Sequence, residues 1–388
     1  MDTLVTISTP VYNGANYIGR AIESVLNQGY QAWELIVVDD GSLDDTASIV
    51  KRYPDPRIRY VYQTNQGQSA AMNHGLDLAR GDYITSLDAD DWLAPDSLTC
   101  RVDHLNAHPA CMAVYGDGWY CTASGEPVMR FTENRPGNPT GDIYDALVVS
   151  CFFGTGAAVM LRRSRIDALH LRYDPLIAMG QDWDFWARLA EHVTFDFVPD
   201  LTVYYRLHAA NMTASMASEK KATDLIQVKR KMLASERFAR VAPSQQSAFF
   251  YNYLLHDLGD RPAEQAEALS SEPFRALPVR EQARLMRLTA TTYLLAGRHV
   301  SLATEWLRQA RRLAPDDAKT RLIAQAAEVN PRLAALALSG WRRQVNPASP
   351  PTVLERALAL ENAAPAHDTQ PRATNGSHRE RQPQRFDP

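Results

Sequence analysis

The sequence predicts an α/β fold: a mostly parallel sheet flanked by helices, followed by an all-helical C-terminal module and a disordered tail. Three observations carry this. Short β-rich runs alternate with helix-sized segments over the first hundred residues. From about Ala217 onward, alanine, leucine, arginine and glutamate recur at helical periods. After about Ala363 large apolar residues almost vanish, leaving too little to bury to offset the entropy of ordering. The expected units are 1–215, 216–362 and 363–388.

The strands expected first are Leu4 to Ser8, Trp33 to Asp39, Arg57 to Gln63 and Asp82 to Leu87. The clearest helix lies between the first two, where Tyr17, Ile18, Ala21, Ile22, Val25 and Leu26 share one face, with Asn16 to cap it and Gly29 to end it. Another is expected over Ser69 to Ala79. Further strands are expected near Met112 to Tyr115, Ala157 to Leu161 and Leu201 to Leu207, with a flexible loop over Ser124 to Gly141 and a helix opening near Gln181. Tyr293 to Pro315 resembles one tetratricopeptide-type helical hairpin, with Gly297 in its turn and Ala303 and Ala310 at close-packing positions.

A net charge of -4 on 388 residues argues against a nucleic-acid partner. The four cysteines, Cys100, Cys111, Cys121 and Cys151, form no CxxC pair, which fits free thiols in a reducing, cytoplasmic setting. The start, MDTLVTISTPVYNG, lacks the basic and apolar regions of a signal peptide and reads as a first strand. Leu333 to Trp341 is about half the length of a membrane span. It reads as a surface helix, with peripheral membrane contact through the C-terminal helices as the second reading, because Arg342 and Arg343 follow it.

The chemistry concentrates in carboxylates. In TSLDADDWLAP, Asp88, Asp90 and Asp91 follow directly on a strand, and such crowding calls for a cation or an exposed turn. An EF-hand is excluded, since Leu93 and Thr99 stand where it needs Gly and Glu. A second acidic pair, Asp39 and Asp40, ends another strand in ELIVVDDGS. In open α/β sheets the carboxyl ends of strands near a switch in strand order bind ligands. Asp44 or Asp45 is explained by capping the following helix.

In this order and spacing TPVYNG, VVDDGS, NQGQSAAMNHGL and SLDADDWLAP resemble the family 2 inverting glycosyltransferases of the GT-A fold, a Rossmann-like α/β architecture, over about residues 1–215. The resemblance implies a nucleotide-sugar donor, with a UDP-sugar expected, and a Mg²⁺ or Mn²⁺ cofactor. It implies a saccharide, lipid-linked or protein acceptor, and a place in polysaccharide or glycoconjugate synthesis. Carried onto this chain, it places Thr9, Pro10 and Tyr12 against the nucleotide, has Asp40 or its neighbour Asp39 accept from the base, and gives Asp88 and Asp90 the ribose and the metal diphosphate. Asn73 is expected on the donor side, although Met72 stands where many relatives carry arginine. In a late Tyr-Arg-x-His segment, strand alternation lets Arg206 and His208 project together, and the resemblance brings His208 toward the metal. Gly154 and Gly156 in FFGTGAAVM read as a close backbone approach to donor and acceptor, or as a simple turn.

MGQDWDFWARLAEH offers two candidates for a general base. Asp184 can pair with Arg188 in solvent at i+4, whereas Asp182 shares a face with Phe185, Trp186 and Leu189, where desolvation would raise its pKa. Asp182 is therefore the expected base, with capping of the helix start as its alternative role. The resemblance agrees, although Gln181 stands where relatives carry Glu. A nucleotidyltransferase would want a Gly-rich, basic loop after the first strand, which TPVYNGANYIGR does not supply. A non-catalytic nucleotide-sugar sensor or scaffold remains the second reading.

Overall fold

The computed structural model describes residues 2–335 apart from 136 and 333, together with 338, 353, 356, 357 and 360. The expected disordered tail, 363–388, and most of the segment read as a surface or membrane-facing helix lie outside the described residues. Among those described, no helix is long and apolar enough to cross a membrane.

Among the described residues nine strands form one sheet: β1 (Val5–Val11), β2 (Trp33–Asp39), β3 (Ile58–Tyr62), β4 (Tyr83–Ser86), β5 (Trp92–Leu93), β6 (Ala113–Cys121), β7 (Pro127–Arg130), β8 (Val159–Arg162) and β9 (Phe195–Arg206). Their order is β3-β2-β1-β4-β8-β6-β9-β5, with β7 also paired to β6. The first four strands and the β6–β9 pair are parallel, and the remaining pairings are antiparallel. β1 and β2 are buried along their whole length, as apolar runs covered on both faces should be. The chain order reverses at β1, which lies between β2 and β4, so the carboxyl ends of these three strands flank one crevice.

Helices α1 (Ile18–Leu26), α2 (Thr46–Val50) and α3 (Gln68–Leu78) connect the parallel strands. The apolar face of α1 is buried as its periodicity predicts, but the cap positions are Tyr17 and Asn27 rather than Asn16 and Gly29. Next come α4 (Ser97–Ala107), α5 (Phe131–Asn134), α6 (Tyr144–Leu147), α7 (Arg163–Ala168) and α8 (Gln181–Ala190). The expected loop over 124–141 is corrected: it holds β7 and α5, because Met129 and Phe131 are buried and Asp117 accepts from Arg130 Nε and Thr132 Oγ1. β9 also begins six residues before the expected strand, at Phe195 rather than Leu201.

The helical region comprises α9 (Met212–Ser215), α10 (Ser218–Ala234), α11 (Pro243–Asn252), α12 (Pro262–Ser270), α13 (Glu272–Arg275), α14 (Val279–Ala296), α15 (Val300–Leu313) and α16 (Ala318–Val329). The expected hairpin is α14 and α15, turned at Gly297 with φ +66° and packed through fully buried Ala303 and Ala310. One hydrophobic core runs without a break from Ile84 and Phe153 at the sheet, through Trp186 of α8, to Phe249, Leu294 and Trp306. The helices thus share a core with α8, the helix that carries Asp182.

Candidate active site

The two acidic pairs read from the sequence end β2 and follow β4, on either side of β1. Asp39 accepts from Ser42 N at 2.7 Å and from Tyr60 Oη at 2.6 Å. Asp40 accepts from Gln63 Nε2, Gln66 N and Gly67 N at 2.7–2.9 Å. These carboxylates set the turn after β2 and the loop entering α3. The first strand runs past its expected end at Ser8, so Thr9 and Pro10 are buried in β1, and of the trio expected against the nucleotide only Tyr12, 52% exposed, stands in the loop beyond it. Of the two residues expected to cap the next helix, Asp45 precedes α2 without a side-chain cap bond, while Asp44 accepts from Thr46 N and Ala15 N.

Beyond β4 the chain turns through Asp88, Asp90 and Asp91. Asp90 Oδ2 meets His208 Nε2 at 2.9 Å and accepts from Asn211 Nδ2 at 3.0 Å. Tyr17 stacks on the His208 ring. Asp91 is buried, with one oxygen accepting from Arg206 N and the other without a hydrogen-bond partner. Arg206, expected on the donor, is corrected to a scaffold role. Its guanidinium donates to the carbonyls of Asp90 and Ala123 and lies over Tyr17 and Trp92, so it holds the acidic turn from behind.

Burial, then the charges of Asp90 and Asp182, push the Asp88 carboxyl up to about 7. Burial, then the charges of Asp90 and Asp88, raise Asp91 as well. A hard divalent ion fits this donor set. It prefers carboxylate oxygens, its charge would offset the repulsion, and the unpartnered Asp91 Oδ2 and His208 Nδ1 are polar atoms left over beside Asp90. The pH dependence follows from the sign of the shift. A carboxyl raised from 3.8 to about 7 favours the fold at low pH, and that contribution is lost as pH rises between those values. A cation that binds the ionised cluster opposes the loss. Thermal stabilisation by Mn²⁺ is therefore expected to grow over that interval, with affinity gaining up to about tenfold per pH unit for one displaced proton. Melting curves with and without Mn²⁺ at constant ionic strength test this; an increment that does not change with pH would contradict it.

Asp182 stands in the first turn of α8, where it accepts from Trp183 N at 2.7 Å, and burial raises its carboxyl. Its charge also acts on Asp88, Tyr173 and Cys151, so the structure brings Asp182 to the acidic turn. Thr155 Oγ1 and Gln68 Nε2 each donate to Asp88 at 3.2 Å. Gln68 Oε1 in turn accepts from Gln181 Nε2 at 3.0 Å, tying the start of α8 to the donor side. Asp184 does pair with Arg188, but not in solvent: it is 2% exposed and also meets Lys231 of α10 at 2.8 Å.

α10 anchors this region. Buried Asp224 accepts from Ala178 N and Met179 N, just before α8. Lys229 Nζ donates to Val148 O at 3.0 Å and lies over Trp183, whose Nε1 donates to Leu147 O at 2.6 Å. These donors occupy orphan carbonyls at the C-terminal end of α6.

Three further expectations are corrected. Asn73 uses both ends of its amide on the backbone of Tyr173, at 2.9 and 2.8 Å, and is a clip between α3 and the segment before α8. The space beside Gly154 and Gly156 is filled by protein. A Cβ on Gly154 would meet the Phe131 ring at 2.6 Å, and one on Gly156 would meet Ser86 Oγ at 2.4 Å. Gly154 also has φ +81°, so Gly154→Ala is expected to cost about 2 kcal/mol or more, read as a lowered melting temperature. The residues missed were Gln68, Thr155 and Asn211. Each lies in or beside a quoted motif, but its partner is distant in sequence or depends on how a loop turns.

Residues 6–167 match the family model of Glycosyl transferase family 2. The chain is 30% identical over 189 residues to the putative teichuronic acid biosynthesis glycosyltransferase TuaG of Bacillus subtilis, covering 48% of this chain and 71% of that protein. It is 40% identical over 214 residues to the chondroitin synthase of Escherichia coli, covering 54% of this chain and 29% of the synthase. It spans about half or less of the length of several curated relatives. Among solved structures, residues 1–349 of Staphylococcus aureus TarS in complex with UDP-GlcNAc superpose with a TM-score of 0.54 at 14% identity, covering 89% of this chain and 93% of that one. At that identity the likeness concerns the fold.

Proposed function

Since the chain belongs to glycosyltransferase family 2, we propose that it moves a sugar from a nucleotide-sugar donor to an acceptor hydroxyl with inversion at the anomeric carbon. The observation that supports this reading is that Asp182, in the first turn of α8, lies near enough to Asp88 for its charge to raise that carboxyl, while Gln181 is tied to Asp88 through Gln68. One carboxylate has the environment of a base; the others have that of an ion and diphosphate site.

In this mechanism Asp182 accepts the proton of the acceptor hydroxyl. Burial raises its proton affinity to suit the task, and the first turn of α8 holds it in place. The acceptor oxygen forms its bond to the anomeric carbon as the bond from that carbon to the diphosphate oxygen breaks. The nucleoside diphosphate leaves with the electron pair. An α-linked donor would give a β-linked product. Asp90, with His208 and Asp88, would hold a Mg²⁺ or Mn²⁺ ion, which when bound neutralises charge developing on the leaving diphosphate. Arg206 and Asn211 keep Asp90 in place, and Gln68 and Thr155 orient Asp88.

The names of the relatives support a glycan acceptor. A chondroitin synthase and a putative teichuronic acid enzyme both build polysaccharide, and UDP-GlcNAc bound to a protein of like fold supports a uridine donor. The test is a panel of nucleotide sugars incubated with the chain, Mn²⁺ and short glycan acceptors. Nucleoside diphosphate release coupled to a β-linked product is expected. Metal-dependent binding with neither hydrolysis nor transfer would favour a sensor instead.

A further inference from the structure

A second group of metal-ligating side chains lies at the far end of the sheet. His104 stands in the last turn of α4, Cys111 lies two residues before β6, and Asp196 is the second residue of β9. One ligand atom from each lies within 4.8 Å of the others. Asp90 and His208 lie by contrast beyond the opposite ends of β6 and β9, whose pairing runs from Ala113–Phe195 to Cys121–Arg206. About nine residues of strand separate the two places, roughly 30 Å.

We propose that His104, Cys111 and Asp196 form a binding site for a borderline-soft divalent cation of the zinc type, distinct from the diphosphate site. The ligand chemistry makes the choice. A thiolate with an imidazole and a carboxylate suits Zn²⁺, whereas the oxygen-rich turn at Asp88 and Asp90 suits Mg²⁺ or Mn²⁺. The three ligands also come from three elements that are separate in sequence and already converge without an ion. His104 Nε2 meets Asp196 Oδ2 at 2.9 Å, and the ring of His108, one turn on, stacks against His104 with centroids 4.2 Å apart. Cys111 is 5% exposed, and its thiol makes a weak bond to Ala113 O at 3.1 Å and also meets Asp196.

Burial and Asp196 push the Cys111 thiol up to about 11, so in the metal-free protein it keeps its proton. On binding, the S–H bond gives its proton to solvent, and the thiolate, one ring nitrogen of His104 and one oxygen of Asp196 become ligands. Three protein ligands leave the fourth tetrahedral position to water. The ion would join the end of α4 to the entry points of β6 and β9, the parallel pair that carries Arg206 at its other end.

The test uses the full chain, stripped with a chelator and titrated with Co²⁺ as a spectroscopic stand-in for zinc. One equivalent is expected to produce a near-ultraviolet thiolate-to-cobalt charge-transfer band, bleached by Zn²⁺ and insensitive to Mg²⁺. Cys111→Ser should abolish the band and His104→Gln should weaken Co²⁺ binding at least tenfold. Zn²⁺ is expected to raise the melting temperature of the wild-type chain by about 3 °C or more, an increment lost in Cys111→Ser while stabilisation by Mn²⁺ persists. If Cys111→Ser does not fold, the wild-type band and the His104→Gln titration still decide. Absence of the band in the wild-type chain, or its survival in Cys111→Ser through another thiol, would overturn the proposal. Such a result would leave the His104–Asp196 contact as a hydrogen bond between side chains.

Discussion

Asp182→Asn is expected to lower glycosyl transfer by about 10²–10⁴-fold, the usual contribution of a positioned general base, while nucleotide affinity stays within about twofold. The amide is nearly isosteric and its oxygen can still accept from Trp183 N, so the first turn of α8 keeps its geometry. What it loses is the ability to take a proton. Removing the charge of Asp182 also relieves one of the three influences that raise the Asp88 carboxyl, so the donor side should not be weakened by extra protonation. Turnover and calorimetric nucleotide binding on the same preparation check this. Loss of nucleotide binding with the loss of transfer would move Asp182 from the base role to the donor side.

The second large effect is expected at Asp90. Asp90→Ala removes the carboxylate that meets His208 and Asn211 but leaves its backbone carbonyl, which Arg206 holds. The turn should therefore persist while the ion loses its principal ligand. Mn²⁺ affinity is expected to fall by about 100-fold or more, and Mn²⁺-dependent nucleotide affinity with it. Nucleotide binding measured without metal should change little. Asp90→Asn can still accept from Asn211 and should keep the wild-type melting temperature more closely, which separates loss of the ligand from loss of local structure. An Asp90→Ala chain that retained Mn²⁺-dependent nucleotide binding would place the ion elsewhere.

Where the pattern is local, the sequence was enough. The parallel strands and α1 follow from apolar runs and helical periodicity, each a property of neighbouring residues. The acidic turn after β4 was visible because like charges crowd on three positions out of four. That Asp182 and Asp184 take different faces of the helix was visible, because a helical face is a local property. The environment of Asp184 was not, since Lys231 reaches it from α10. Roles set by distant partners were misread in the same way. Asn73 finds Tyr173 a hundred residues on, Arg206 finds the backbone of Asp90, and Gly154 needs its glycine because of Phe131. The part played by α10 was equally hidden: nothing in its own periodicity says that Asp224 grips the backbone just before α8 and Lys229 the end of α6.

The most direct measurement is calorimetric titration of UDP, with other nucleoside diphosphates as alternates, into the wild-type, Asp90→Ala and Asp182→Asn chains with and without Mn²⁺. The account predicts binding that depends on Mn²⁺ in the wild-type chain, persists in Asp182→Asn and is lost in Asp90→Ala. Binding indifferent to Mn²⁺, or no heat from any nucleoside diphosphate, would contradict it.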